Sequence, residues 1–463
     1  MESYHSLISR KLAATVPVGL THLPALPEGL FPHARALTNW ALRRGRCAIF
    51  ADTGLTKTRM QLAWAAALHQ ERQVDSIVLT PLAVAAQSVE EGARIGLNVN
   101  LCRDDSDIRP GINITNYERL HRFDPKRFGA VVLDESSCIK HYDSKTLQQL
   151  IDAFGTTPFR LCASATPAPN DWTELGTHAE FLGICKRVEM LSEFFVHDGG
   201  DTQTWRLKGH ARSAFWRWVA AWGAMVRSPA DLGFDATAFR LPPLTIHEHV
   251  VDSADGAKGE LFVSEARTLS ERRAARKASL DARVSACAAV VNAEPDEPWI
   301  IWCDLNAEGD ALEQAIGKSV QVTGADDIDT KESRLYGFAH GQIKQLITKP
   351  SIAGWGGNWQ HCARMSFVGV TDSYEAYYQA LRRCWRFGQL RPVEAHIFSS
   401  VAEGAVVANL RRKEADTVAM AQALSAETRD AVMAEVTGSV RQTNSYEANR
   451  RVDVPDWLRT EAA

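Results

Sequence analysis

The stretch CAIFADTGLTKTRM, residues 47–60, is an apolar run that breaks into a short polar turn at Asp52–Thr56 and resumes in helix-forming residues. It reads as a β-strand, a turn and a helix, with Lys57 and Thr58 at the helix start. A helix N-terminus reached through a tight turn presents backbone N–H groups and the positive end of the helix dipole to an anion. Lys57 would reach the outer phosphates of a bound nucleotide, and the Thr58 hydroxyl would take a Mg²⁺ position. Gly54 supplies backbone freedom for the turn. The strict pattern G-x-x-x-x-G-K-[ST] is not met, because Ala51 and Thr56 hold both glycine positions. A β-carbon at residue 56 is tolerable if the local φ is negative. Alone, the stretch is either a phosphate loop or an accidental strand–turn–helix, so the rest of the chain decides.

Working outward, short apolar runs alternate with helical patterns: CAIFA, SIVLT, GINIT, AVVLDE and RLCASAT between about 40 and 170, then PWIIWCDL, SVQVTG, IKQLITK, RMSFVGV and VEAHIFS between about 298 and 400. Buried strands alternating with helices predict parallel sheets, and their two blocks predict two α/β lobes. The expected boundaries are 1–185 for the first lobe, 186–245 for a helical, Trp-rich inter-lobe segment, 246–400 for the second lobe and 401–463 for a helical, alanine-rich tail. Phe215, Trp218 and Trp222 recur at helical spacing and predict a buried stripe, with base stacking as the alternative. Pro242 and Pro243 bar a continuing helix, which places the inter-lobe connection near them. Residues 258–292 read as one long helix whose ERRAARK stretch is a solvated face, with a phosphate track as the alternative.

Other stretches carry chemistry. AVVLDESS (130–137) ends an apolar strand in Asp134 and Glu135, at the sheet edge where open α/β folds bind ligands. Asp134 could hold a metal while Glu135 polarises water, two roles that need two carboxylates. CASATPAPN (162–170) puts Ser164 and Thr166 at another strand end, where hydroxyls can bond the carboxylate loop and transmit its state. In QALRRCWRFGQ (379–389), Arg383 and Arg386 lie on one helical face that Gly388 ends. Two guanidiniums projecting from the second lobe would stabilise phosphate charge only when the lobes close.

The chain has 463 residues, 23% of them charged, and a formal net charge of −4, so a nucleic-acid site must be a local groove. Its nine cysteines show no C-x-x-C pair, which predicts reduced thiols and no zinc site of that kind. No apolar run approaches a membrane span and no secretory pattern opens the chain, so a soluble cytoplasmic protein of a bacterial cell or phage-infected host is expected.

In this order the stretches resemble the superfamily-two helicase core, the DEAD/DEAH-box-like ATPases, and most closely their Swi/Snf-like branch. ADTGLTKT is similar to motif I, TPLAVAAQ to Ia, ITNYERL to Ib, DESS to the DEAD/DEAH box and SATP to motif III. PWIIWCDL is similar to motif IV, TKPSIAGWGGNWQHC to V and QALRRCWRFGQ to VI, whose Q-A-x-x-R-x-x-R-x-G-Q form marks the Swi/Snf relatives. The likeness covers about residues 28–400, and compact chains of this type occur in bacteriophage and prophage genomes. It implies two RecA-like lobes that hydrolyse ATP between them, with Mg²⁺, to move along nucleic acid, duplex DNA foremost. The short inter-lobe segment favours translocation without unwinding. Carried over by position, Gly54, Leu55, Thr56, Lys57, Thr58, Gly357, Asn358 and Gln379 would contact nucleotide. Thr58 and Asp134 would hold the metal, and Glu135, Arg383 and Arg386 would be catalytic. Ser164 and Thr166 would couple the lobes. Thr80, Pro81, Thr115, Asn116, Tyr117 and Thr348 would touch the nucleic-acid backbone. Two departures bear on the nucleotide, Thr56 and an Ala34 where the family often has an adenine-reading glutamine. They leave an ATPase-impaired nucleic-acid-binding or assembly factor as the alternative.

Overall fold

Apolar runs buried on both faces need helices above and below them, and the chain supplies both. The computed structural model describes residues 17–82, 84–139, 144–168, 171–198, 201–251, 276–354, 357–369 and 373–401, with residues 412, 428–430, 432–434 and 436. Its strands are β1 (Arg46–Ala51), β2 (Ser76–Thr80), β3 (Val99–Leu101), β4 (Ile112–Asn116), β5 (Ala130–Asp134), β6 (Phe159–Ala163), β7 (Phe195–Asp198), β8 (Asp201–Leu207), β9 (Gly223–Val226), β10 (Leu244–Val251), β11 (Trp299–Cys303), β12 (Val320–Gln321), β13 (Gln345–Thr348), β14 (Arg364–Val368) and β15 (Val393–Ser400). Every apolar run quoted above overlaps one of them.

The first sheet has the order β3-β4-β2-β5-β6-β1-β9 and the second β10-β15-β14-β11-β13-β12, each parallel throughout. Along β1, Cys47, Ile49 and Ala51 enter one core and Ala48 and Phe50 the other, the period-two alternation of a sheet covered on both faces. Helices Pro32–Arg44 and Lys57–Arg72 cover the first face, and Lys145–Phe154, Leu175–Leu182 and Arg212–Ala220 the second. In the second sheet, Leu280–Ala293 and Asn306–Ile316 pack into one core, Ile328–Ala339 and Tyr374–Leu381 into the other. The molecule is therefore an α/β protein of two parallel-sheet lobes. Because the strands are parallel, β1, β5 and β6 deliver their C-terminal ends to one sheet edge, with β6 between the other two.

The boundary expected at residue 185 moves. β9 pairs in parallel with β1, Ala48 opposite Gly223, so the first lobe runs through Val226. Nor is the Trp-rich segment helical throughout: helices Arg187–Phe194 and Arg212–Ala220 flank an antiparallel hairpin of β7 and β8. Phe215, Trp218 and Trp222 are at most 6% exposed within the first lobe, which excludes base stacking on them. The connection proper follows β9 and is stitched to the second lobe, where Trp385 Nε1 donates to Pro242 O (2.8 Å) and Val393 N to Pro243 O (2.9 Å). Most of ERRAARK and most of the expected tail lie outside the described residues, although Val432 and Val436 pack into the first lobe's core. No helix among the described residues is long and apolar enough to cross a membrane.

Candidate functional site

β1 ends at Ala51 and the chain turns into the helix beginning at Lys57. Gly54 stands at φ +92°, and a Cβ there would lie 2.9 Å from both Cβ and N of Phe387 in the second lobe. Glycine is required by the conformation and by the close approach of the other lobe. Thr56 stands at φ +60°, ψ +35°, left-handed backbone in which a β-branched residue is an outlier. The negative φ that would have accommodated its side chain is not adopted. Lys57 Nζ donates to Ala51 O (2.8 Å) and Asp52 O (3.3 Å). Burial lowers the Lys57 pKa, against the raising influence of Glu135, Asp52 and Asp134.

The end of β5 places Asp134 beside this helix. Asp134 Oδ1 accepts from Gln61 Nε2 at 2.6 Å, and burial, then the adjacent Glu135, push its carboxyl up to about 6. Glu135 is also left-handed, φ +51°. A chain of polar contacts then runs from the first lobe to the second. Ser164 Oγ donates to Glu135 Oε2 (3.5 Å) and accepts from Thr166 N (3.1 Å). Thr166 Oγ1 accepts from Gln379 Nε2 (3.2 Å), and Gln379 Oε1 accepts from Arg383 Nη2 (2.9 Å). Arg383 and Arg386 both donate to Gly357 O, at 3.2 and 3.1 Å. Burial lowers the Arg383 pKa; burial, then Arg383 and Arg382, push Arg386 down to about 9.

These groups meet at a cavity of about 340 Å³ between the lobes. Gly54, Thr56, Lys57, Thr58, Asp134 and Glu135 line it from the first lobe, and Asn358, Arg383 and Arg386 from the second. Other expected positions lie behind it. Leu55 packs into the first lobe's core at 3% exposure, so its side chain is no ligand contact. Gly357, Gln379, Ser164 and Thr166 act on the cavity walls through the hydrogen bonds above. Ala34 is fully buried in the core and does not face the cavity. Sequence reasoning missed Gln61, Gln87, Tyr378, Arg382 and Phe387. Gln61 follows Lys57 by one helical turn and was findable on that spacing. The others act across the interface: Arg382 Nη2 donates to Thr53 O (2.8 Å), Tyr378 OH to Asp52 Oδ1 (3.3 Å), and Asn358 N to Gln87 Oε1 (2.8 Å).

The expected nucleic-acid contacts are placed differently. Thr80, Thr115, Asn116 and Thr348 are at most 1% exposed. Thr80 Oγ1 donates to Thr115 O and Thr348 Oγ1 to Val322 O, while Asn116 Nδ2 donates to Glu332 Oε1 across the lobes (3.0 Å). Tyr117 OH donates to Asp134 O. Strand ends aim these short polar side chains into the protein, so in this arrangement of the lobes they offer nothing to a backbone; Pro81 and Tyr117 alone of the set are half-buried. Arg119, within ITNYERL but not among the expected contacts, bridges to Asp329 (3.0 Å) and Glu332 (3.1 Å).

The donor set suits a nucleoside triphosphate and a hard divalent cation. Arg386 Nε and the hydroxyls of Thr53 and Thr56 are buried without a hydrogen-bond partner, unmatched donors of the kind phosphate oxygens satisfy. Thr58 and Asp134 offer the oxygen ligands that Mg²⁺ takes. No family model matches the chain, and no curated protein matches it. Among solved structures it is similar to the Sulfolobus solfataricus SWI2/SNF2 ATPase core in complex with dsDNA, at 16% identity over 90% of this chain and 98% of that chain, with a TM-score of 0.40.

Proposed function

We propose that the protein is a superfamily-two ATPase of the Swi/Snf-like branch that hydrolyses ATP between its lobes and uses their closure to translocate along nucleic acid, duplex DNA foremost. The observation that carries this reading is one cavity lined by Lys57, Asp134 and Glu135 from one lobe and by Arg383 and Arg386 from the other. Lys57 exchanges two backbone carbonyls for phosphate oxygens. Thr58 and Asp134 would hold Mg²⁺, which when bound would supply charge neutralisation on the phosphates. Glu135 orients and deprotonates the attacking water, and Arg383 and Arg386 bear on the charge that develops at the terminal phosphate. Since the arginines come from the second lobe, turnover is tied to lobe closure. The order of the quoted motifs supports the choice of branch and of duplex DNA.

The test is phosphate release by the full chain with duplex DNA, single-stranded DNA, RNA or no nucleic acid. Duplex-stimulated turnover is expected, with a loss of roughly 10²-fold or more and retained ATP binding in Glu135→Gln. Retained turnover in that variant would sink the assignment. One observation favours the rival, an ATPase-impaired binding factor: Thr56 in a left-handed conformation beside a Lys57 bonded to its own loop. Duplex binding with no turnover under any condition would establish it.

A further inference from the structure

The edge of the second sheet carries a cluster that the nucleotide site does not use. In the parallel register of β10 and β15, His247 lies opposite His396 and Thr245 opposite Glu394. The alternation of strands therefore puts His247, His249, Glu394 and His396 on one face. His247 Nε2 lies 3.7 Å from Glu394 Oε2, and His396 Nε2 lies 4.0 Å from the same oxygen. One ligand atom from each of His247, Glu394 and His396 lies within 4.8 Å of the others. His247 Nε2 is buried with no hydrogen-bond partner. We propose that His247, Glu394 and His396 bind a divalent transition metal, Zn²⁺ foremost, which fastens the strand leaving the inter-lobe connection to the second lobe.

The chemistry is that of a His₂-carboxylate set with an open fourth position for water. Tetrahedral bonds of about 2.0–2.1 Å separate ligand atoms by roughly 3.4 Å, so each histidine needs to close on the Glu394 oxygen by only some tenths of an ångström, and the two histidines on each other by at most about 1.4 Å. The surroundings hold the ligands in place. His249 Nε2 lies 3.0 Å from His396 Nδ1. With the proton on His396 Nδ1 donated to His249, the Nε2 lone pair of His396 is left for the metal, the outer-shell arrangement that fixes a ligating histidine. Arg364 Nη1 lies 3.5 Å from Glu394 Oε1 and so engages the other carboxylate oxygen, while its Nε is paired with Glu294 at 2.8 Å. A bare stack of histidines is the alternative: the rings of His247 and His396 lie 4.6 Å apart at 18°. It leaves His247 Nε2 without a partner.

The experiment uses the full chain, stripped with a chelator and titrated with Zn²⁺, and separately with Co²⁺ as a spectroscopic probe. One tight equivalent, a rise in Tm with Zn²⁺, and a four-coordinate Co²⁺ spectrum without thiolate charge-transfer bands are expected. His247→Ala and Glu394→Gln, at half-exposed side chains, should each weaken Zn²⁺ binding by about 10²-fold or more and abolish the Tm rise. His249→Phe should weaken it by about 10–100-fold as an outer-shell loss. Absence of stoichiometric Zn²⁺ binding, binding unchanged in both ligand variants, or thiolate bands that assign the metal to cysteines would each overturn the proposal. None of these readouts requires ATP turnover, so the inference stands or falls apart from the proposed function.

Discussion

Thr56 combines a β-branched side chain with left-handed backbone, a conformation worth about 1–3 kcal/mol of strain. Thr56→Gly removes that strain at a smaller cost in unfolded-chain entropy of about 0.5–1 kcal/mol. It should therefore raise Tm modestly and tighten ATP binding or raise turnover, whereas Lys57→Ala in either background should abolish hydrolysis. A strong loss of ATP binding in Thr56→Gly would make the threonine hydroxyl itself a ligand. Asp134 gives a second residue-scale test. Its folded pKa of about 6 lies above the ordinary 3.8, so the folded state binds more protons between those values and stability falls as pH rises through that window. Above it the buried charge, set beside Glu135, destabilises the fold. Asp134→Asn should thus melt higher than the native chain at pH 8, with the difference vanishing toward pH 3–4. An equal difference at all pH values would refute a buried carboxylate as its source. Lys57, Asp134, Glu135, Arg383 and Arg386 were legible in the sequence because charge at strand and helix ends is scarce and chemically specific. The sign of φ at Thr56 was not, since it depends on how the whole turn from Ala51 to Lys57 closes.

At the scale of elements, fully buried strands such as β2 and β5 were legible because both faces carry apolar residues. β10 escaped notice because half of LTIHEHVV is polar, as befits an edge strand whose burial alternates. β9 escaped because GAMV is short and follows tryptophans that read as helix; its strand character comes from pairing with β1. The same dependence on tertiary pairing creates the contact chain Glu135, Ser164, Thr166, Gln379, Arg383, which joins the ends of β5 and β6 to the helix Tyr374–Leu381 and the turn after it. Thr166→Val keeps the shape but removes the acceptor for Gln379. A neutral hydrogen bond contributes about 0.5–1.5 kcal/mol, so turnover should fall roughly 2–10-fold while ATP affinity stays within about 2-fold. An equal loss in both quantities would mean that the hydroxyl serves the fold of the site and not the coupling of the lobes.

At the scale of the whole molecule, the lobes are held by contacts on both sides of the cavity. On one side Arg382 reaches Thr53 and Asn358 reaches Gln87; on the other, Arg119 and Asn116 are engaged by Asp329 and Glu332 of the helix Ile328–Ala339. The second set sits where ITNYERL was expected to meet a phosphate backbone, and a carboxylate on a guanidinium presents the same charge and acceptor geometry as a phosphate oxygen. Nucleic acid that uses Arg119 must displace Glu332. Of the expected nucleic-acid residues, Asn116 is engaged across the lobes, a feature set by their meeting that no local sequence pattern records. If the proposed function is right, Asp329→Asn with Glu332→Gln leaves Arg119 free of competing carboxylates. Duplex DNA should then bind several-fold more tightly, and the slope of log K against log salt should steepen by about 0.9, one added phosphate contact. Arg119→Ala in that double variant should weaken binding and return the slope by a similar amount. Fluorescence anisotropy across a salt series measures both. Unchanged affinity and slope in all of these variants would mean that the Arg119 cluster only fastens the lobes and that DNA runs elsewhere.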